Sequence, residues 1–170
     1  MHNIFLGIGS NLGNREENLN KAIARIGELT GSPVISSSLY ETEPWGFESE
    51  DRFLNNVVKI NTNITPSNLM KEILVIEAGM GRVRTNHHFS SRVIDIDILI
   101  YNCRVIVTRN LVIPHPKMHE RKFVLVPMCE LDCEIYHPVL KRPMEYLLKT
   151  CGDMSSVELY KSRERGAGSF

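Results

Sequence analysis

What most constrains this chain is an order of elements: between residues 4 and 101, apolar runs of strand length and apolar stripes of helical period follow one another as strand, helix, strand, strand, helix, strand. Ile4 to Ile8 is a short apolar run stopped by Gly9-Ser10-Asn11-Leu12-Gly13, a buried strand entering a turn. Asn14 can cap a helix with Glu17 three residues on, and Leu19, Ala22, Ile23, Ile26 and Leu29 give it one apolar face before Gly31-Ser32-Pro33 ends it. Val34 to Tyr40 reads as the second strand and, past a loop at Glu43-Pro44-Trp45-Gly46, Phe53 to Asn61 reads as the third. Thr65-Pro66 opens another helix that turns Leu69, Ile73 and Ile76 inward and stops at Gly79-Met80-Gly81. Val93 to Tyr101 returns as a strand. That order implies an α+β fold, a ferredoxin-like split βαβ sandwich whose antiparallel sheet has helices packed on one face.

The remainder, Cys103 to about Thr150, carries apolar runs and the turn signals Pro114-His115-Pro116 and His137-Pro138, and reads as a C-terminal extension covering that core. Lys161 to Phe170, rich in charge, Gly and Ser, reads as a frayed tail. A length of 170 residues with 42% hydrophobic composition suits one sizeable core, so 1–170 is expected to be a single domain with its core at about 3–130.

Twenty Lys and Arg balance twenty Asp and Glu, so no overall field favours nucleic acid or an anionic membrane, and any anion site must be built locally. The start, Met1-His2-Asn3-Ile4-Phe5-Leu6, lacks the features of a signal peptide, and no stretch approaches the roughly 20 apolar residues that span a bilayer. A cytoplasmic, monomeric protein is the expectation. Cys103, Cys129, Cys133 and Cys151 form no CxxC pair, which suits reduced structural thiols.

In the last strand of the core, Ile94, Ile96 and Ile98 share one face while Asp95, Asp97 and Leu99 share the other. Two carboxylates about 6 to 7 Å apart repel by on the order of 2 kcal/mol at an effective dielectric near 20. A strand whose aspartates simply face water accounts for the pattern equally well. A divalent cation held by both carboxylates would account for the repulsion as well.

The preceding segment, Gly81-Arg82-Val83-Arg84-Thr85-Asn86-His87-His88-Phe89-Ser90-Ser91-Arg92, has three arginines and two histidines but no acid. Cations beside a magnesium site imply a polyphosphate, since guanidinium forks bind phosphate oxygens and stabilise charge during phosphoryl transfer. Gly79 and Gly81 could hinge this loop as a lid. His115, between two prolines, suits either a phosphate contact or a turn. Gly7-Ile8-Gly9-Ser10-Asn11-Leu12-Gly13 has the spacing GxGxxxG with no acidic strand end about 20 residues on, which argues against a dinucleotide loop, and no GxxxxGK[ST] occurs.

The segment His88-Phe89-Ser90-Ser91-Arg92-Val93-Ile94-Asp95-Ile96-Asp97-Ile98-Leu99 resembles the signature of the 6-hydroxymethyl-7,8-dihydropterin pyrophosphokinase family. Similarity extends to Gly7–Gly13, Tyr40-Glu41-Thr42-Glu43-Pro44, Phe53-Leu54-Asn55, Glu77, Gly81-Arg82-Val83-Arg84, Pro114-His115 and Arg121, landmarks spanning roughly residues 4 to 130. The departures are Ser90 where Gly or Ala is usual, Phe89 where many members have Trp, and Pro116 where an aromatic is common.

The resemblance implies a ferredoxin-like enzyme of folate biosynthesis that moves pyrophosphate from ATP to the pterin hydroxymethyl group and releases AMP. It implies that Asp95 and Asp97 hold two magnesium ions and that Arg82 and Arg92 brace the triphosphate. Glu77, Arg84, Ile98, His115 and Arg121 would contact ATP. Thr42, Glu43, Pro44, Trp45 and Asn55, with the rings of Phe53 and Phe123, would form the pterin site. A flat heterocycle suits stacking on aromatic faces, and a side-chain amide can match its amide-like edge.

Overall fold

The computed structural model describes residues 1–83 and 91–162. Its elements run β1 (His2–Ser10), α1 (Arg15–Thr30), β2 (Ile35–Ser36), β3 (Tyr40–Thr42), β4 (Phe53–Thr62), α2 (Pro66–Gly79), β5 (Asp95–Tyr101), the hairpin β6 (Ile106–Val107) and β7 (Val112–Ile113), a 3₁₀ turn (Met118–Glu120), α3 (Lys122–Asp132), α4 (Met144–Lys149) and β8 (Val157–Leu159). The main sheet runs β5-β1-β4-β3-β8, and β2 also pairs with β4. All its pairings are antiparallel. The sheet is therefore split: β4 lies between β1 and β3, and β1 lies between β4 and β5.

Local sequence explains the helix ends. Asn14 caps α1 as its side chain accepts from the backbone N–H of Glu17 at 3.1 Å, and Gly31, with φ +60°, closes it by donating to Gly27 O at 2.9 Å. Helix α2 has Pro66 in its first turn. At its other end Gly81, with φ +90°, donates to Ala78 O at 3.1 Å, and Arg82 N–H donates to Glu77 O at 3.1 Å, the paired bonds of a Schellman ending. Gly79, by contrast, belongs to the helix, and a Cβ there would meet Arg25 Nη1 at 2.8 Å. The loop these glycines were expected to hinge lies, over 84–90, outside the described residues.

Two expectations are corrected. The second strand is not continuous: Ser37 donates its own N–H to Val57 O at 2.9 Å while its hydroxyl accepts from Val57 N–H at 3.0 Å, so side chain replaces backbone and the run divides into β2 and β3. Helices also cover both faces of the sheet rather than one. Leu19, Ala22, Ile26, Leu69 and Ile73 from α1 and α2 pack with Ile4, Leu6, Ile96 and Ile98. On the other face Val124, Leu125, Met128, Met144 and Leu147 from α3 and α4 pack with Phe5, Val57, Leu99 and Ile100.

A bulge in β5 lets that strand serve both layers. Leu6 pairs with Ile98 and Phe5 with Ile100, leaving Leu99 as an extra residue, so Leu99 and Ile100 both join the α3 and α4 side. The carbonyl of Leu99 accepts from His115 N–H at 2.9 Å. The segment after β7 is thereby tied beside the aspartates. The C-terminal segment adds β8 to the sheet edge at β3, and residues 163–170 of the expected frayed tail lie outside the described residues.

Candidate active site

Alternation along β5 brings Asp95, Asp97 and Leu99 to one cleft, as their spacing implied. The cleft holds about 820 Å³ including space open to solvent, and its walls also include Gly7, Gly9, Glu43, Trp45, Phe47, Phe53, Asn55, Arg92, His115, Arg121 and Phe123. One end is charged and the other aromatic.

At the charged end Asp95 is clamped by two arginines. Arg82 Nη1 donates to its Oδ1 at 2.7 Å and Arg92 Nη1 donates to its Oδ2 at 2.9 Å. Arg82 also pairs through Nη1 with Glu77 Oε1. That oxygen also accepts from Ile96 N–H at 2.8 Å, and Glu77 is buried at 2% exposure. Burial pulls the Arg82 guanidinium down, but the carboxylates of Asp95 and Glu77 outweigh it and hold it above its ordinary value.

Asp97 has longer-range company: His115 Nε2 stands 3.8 Å and Arg121 Nη1 4.0 Å from its Oδ2. Burial pushes its carboxyl up to about 7, the charge of Asp95 adding to the shift and Arg121 opposing it. Burial, and then Arg121, bring His115 down to about 4, so its ring is neutral at pH 7. Lys117 N–H donates to His115 Nδ1 at 3.1 Å, which leaves the ring proton on Nε2, the nitrogen that faces Asp97. Arg121 lies with its guanidinium 4.6 Å from the Trp45 ring centroid and 5.7 Å from that of Phe123, bridging the charged and aromatic ends.

At the aromatic end, Phe47 and Phe53 meet edge to face at 6.1 Å. Asn55 Nδ2 donates to Thr42 Oγ1 at 2.7 Å, both residues being buried, so the amide is fixed in one orientation. Gly9 opposite is required by space: a Cβ there would come 2.5 Å from Asn55 Oδ1.

Among the sequence-predicted residues, Asp95, Asp97, Arg92, His115, Arg121, Glu43, Trp45, Phe53, Asn55 and Phe123 line the cleft. Glu77 and Thr42 stand behind it, holding Arg82 and Asn55. Pro44 is not among the lining residues, and the Ile98 side chain is buried on the α1 and α2 side. Arg84, with the departures Phe89 and Ser90, lies outside the described residues. Sequence reasoning missed Phe47, whose signal was an aromatic six residues before Phe53 in a loop already suspected, and gave no task to Gly7 and Gly9.

Magnesium fits the donor set only in company. Asp95 and Asp97 are hard oxygen ligands, and Asp97, raised by burial and a like charge, is a carboxylate that a dication would relieve. No cluster of three or more His, Cys, Asp or Glu suited to an ion exists among the described residues. Two carboxylates are as many as magnesium commonly takes from a protein when phosphate and water supply its other ligands.

Residues 5–133 match the family model described as 7,8-dihydro-6-hydroxymethylpterin-pyrophosphokinase. The chain is 37% identical over 145 residues to the 2-amino-4-hydroxy-6-hydroxymethyldihydropteridine pyrophosphokinase of Aquifex aeolicus, covering 85% of this chain and 89% of that one. It is 41% identical over 133 residues to the protein of the same name from Bacillus subtilis, covering 77% and 79%. A crystal structure of Plasmodium falciparum HPPK-DHPS shares the fold with a TM-score of 0.66 at 18% identity, over 88% of this chain and 43% of that one. The chain thus spans less than half the length of that solved protein.

Proposed function

The chain belongs to the 7,8-dihydro-6-hydroxymethylpterin-pyrophosphokinase family and transfers pyrophosphate from ATP to hydroxymethyldihydropterin in folate synthesis; on that premise we propose that the reaction runs in the cleft between Asp97 and Asn55. The observation that carries the assignment is the cleft's division into a charged end suited to a triphosphate and an aromatic end suited to a flat heterocycle, with Arg121 between them.

Asp95 and Asp97 would hold two magnesium ions together with phosphate oxygens. Bound there, magnesium would neutralise the triphosphate and act as a Lewis acid toward it. Arg82 and Arg92, oriented by Asp95 and Glu77, brace the phosphates, and Arg121 with the neutral His115 completes the nucleotide side. Arg84 belongs to this group by the family's pattern, and Ile98 would act through its backbone. On the acceptor side, the Asn55 amide reads the pterin edge, Phe53 and Phe123 stack on its faces, and the Thr42–Trp45 loop closes the slot.

With both substrates in place, the hydroxymethyl oxygen attacks the β-phosphorus in line. The new O–P bond forms as the bond from the β-phosphorus to the α,β-bridging oxygen breaks, that oxygen departs with AMP, and the hydroxyl proton is released to water. Positioning and charge stabilisation supply most of the rate, and a loose transition state needs little from a base.

The core is read as ferredoxin-like, which the split order of β5, β1, β4 and β3 supports, and residues 1–170 as a single domain. No described helix is long and apolar enough to cross a membrane; we place the enzyme in the cytoplasm as a monomer. The test is AMP release from ATP with and without the reduced pterin and magnesium. AMP that requires both is expected. Pterin-independent release of ADP would refute the assignment.

A further inference from the structure

Asn11 follows the last residue of β1 and is buried at 4% exposure, yet its polar groups go to segments bordering the cleft rather than to the core. Arg92 N–H donates to Asn11 Oδ1 at 2.7 Å, and Asn11 N–H donates to Arg92 O at 3.1 Å. Asn11 Nδ2 donates to Ser91 Oγ at 3.0 Å and to the carbonyl of Asp51 at 3.4 Å. One residue thus holds both backbone groups of Arg92, whose side chain then reaches Asp95 at 2.9 Å. The same amide reaches the far end of the loop that carries Trp45 and Phe47.

Asn11 N–H to Arg92 O is backbone to backbone, while the other three contacts are made by the side-chain amide, which offers an acceptor and two donors on one short side chain. Leucine would offer none of them, and aspartate would keep the acceptor but lose both donors. Removing the amide would leave Arg92 N–H and Ser91 Oγ without this partner in a site where a displacement of about 1 Å can cost about a hundredfold in rate.

We infer that Asn11 is a positioning residue for pyrophosphoryl transfer, fixing the backbone of Arg92 so that its guanidinium meets Asp95, and tying that setting to the acceptor-side loop through Asp51. The inference rests on the assignment of Arg92 to the phosphates made above.

The test is a double-mutant cycle of Asn11→Ala and Arg92→Ala, read as kcat/KM from release of radiolabelled AMP so that very slow variants are still measured. Asn11→Ala alone is expected to cost about 30- to 100-fold, mostly in kcat, and less than threefold in the Arg92→Ala background. Equal costs in both backgrounds would overturn the inference, because a residue that merely supports the fold acts whether or not Arg92 is present. Should Asn11→Ala fail to fold by circular dichroism, the cycle is run with the similarly shaped Asn11→Leu, which lacks the acceptor for Arg92 N–H; the same collapse of effect is expected and additivity is again contrary. Full activity in Arg92→Ala itself would instead remove the assignment of Arg92, a separate failure.

Discussion

At one end of the cleft Phe47 and Phe53 already meet edge to face and Asn55 is locked by Thr42, whereas at the other Asp97 is raised to about 7 beside Asp95, with the neutral His115 ring 3.8 Å and the Arg121 guanidinium 4.0 Å away. The aromatic end is shaped by its own side chains: a ring pair and the Asn55–Thr42 bond fix it. The charged end holds Asp95 and Asp97 in mutual repulsion, with Asp95 paired by Arg82 and Arg92 and Asp97 at longer range from Arg121. A preformed slot selects by fit, while an electrostatically unbalanced site gains affinity by completing its charge.

If that contrast is right, perturbations should sort by end. The largest effect belongs to Asp95→Asn, which weakens the acceptor of two guanidinium groups at once. Turnover is expected to fall at least about a thousandfold, as for loss of a transition-state clamp, with KM for the pterin changed little. Steady-state kinetics varied in each substrate checks this, and an equal rise in pterin KM would erase the division between the ends. Next comes Gly9→Ala, whose Cβ would press on Asn55 Oδ1. We expect pterin KM to rise by roughly a hundredfold and the nucleotide KM to stay within about threefold, since the damage is a displaced amide at the acceptor end alone.

A pH titration separates the ends without mutation. Asp97 titrates near 7 when folded, against an ordinary carboxylate value near 4, so the folded protein holds the extra proton between about pH 4 and 7. Ligand-free stability should therefore fall as pH rises through that window. Affinity for the magnesium nucleotide should rise about tenfold from pH 6 to 8 as the carboxylate is freed. Asp97→Asn should flatten both trends. The smallest effect is expected for Phe47→Leu, which removes one edge-to-face pair worth about 1 kcal/mol and should raise pterin KM about fivefold.

The two ends also differ in how far sequence alone revealed them. The alternation Asp95-Ile96-Asp97 placed both carboxylates on one face, and the Asn14 cap and the buried stripes of α1 and α2 followed from spacing, because these depend on neighbours a few residues apart. Less visible were features decided by distant partners. The bulge at Leu99 depends on pairing with β1, and its carbonyl binds His115. The break in the second strand turns on a Ser37 hydroxyl bonding to Val57. The second helical layer was hidden because the apolar runs after Cys103 gave no clear period, so which face they would cover could not be read. Gly9 looked like turn chemistry in sequence, and only Asn55 across the sheet shows why a side chain cannot fit there.

Asp97 tests the account most directly. Pterin-dependent AMP formation by Asp97→Asn, measured at pH 8 with magnesium and both substrates saturating, should fall below about a thousandth of wild type. The variant's thermal midpoint should be no lower than that of the wild type, since a strained charge has been removed. AMP formation within tenfold of wild type, with an unchanged dependence on magnesium, would contradict it.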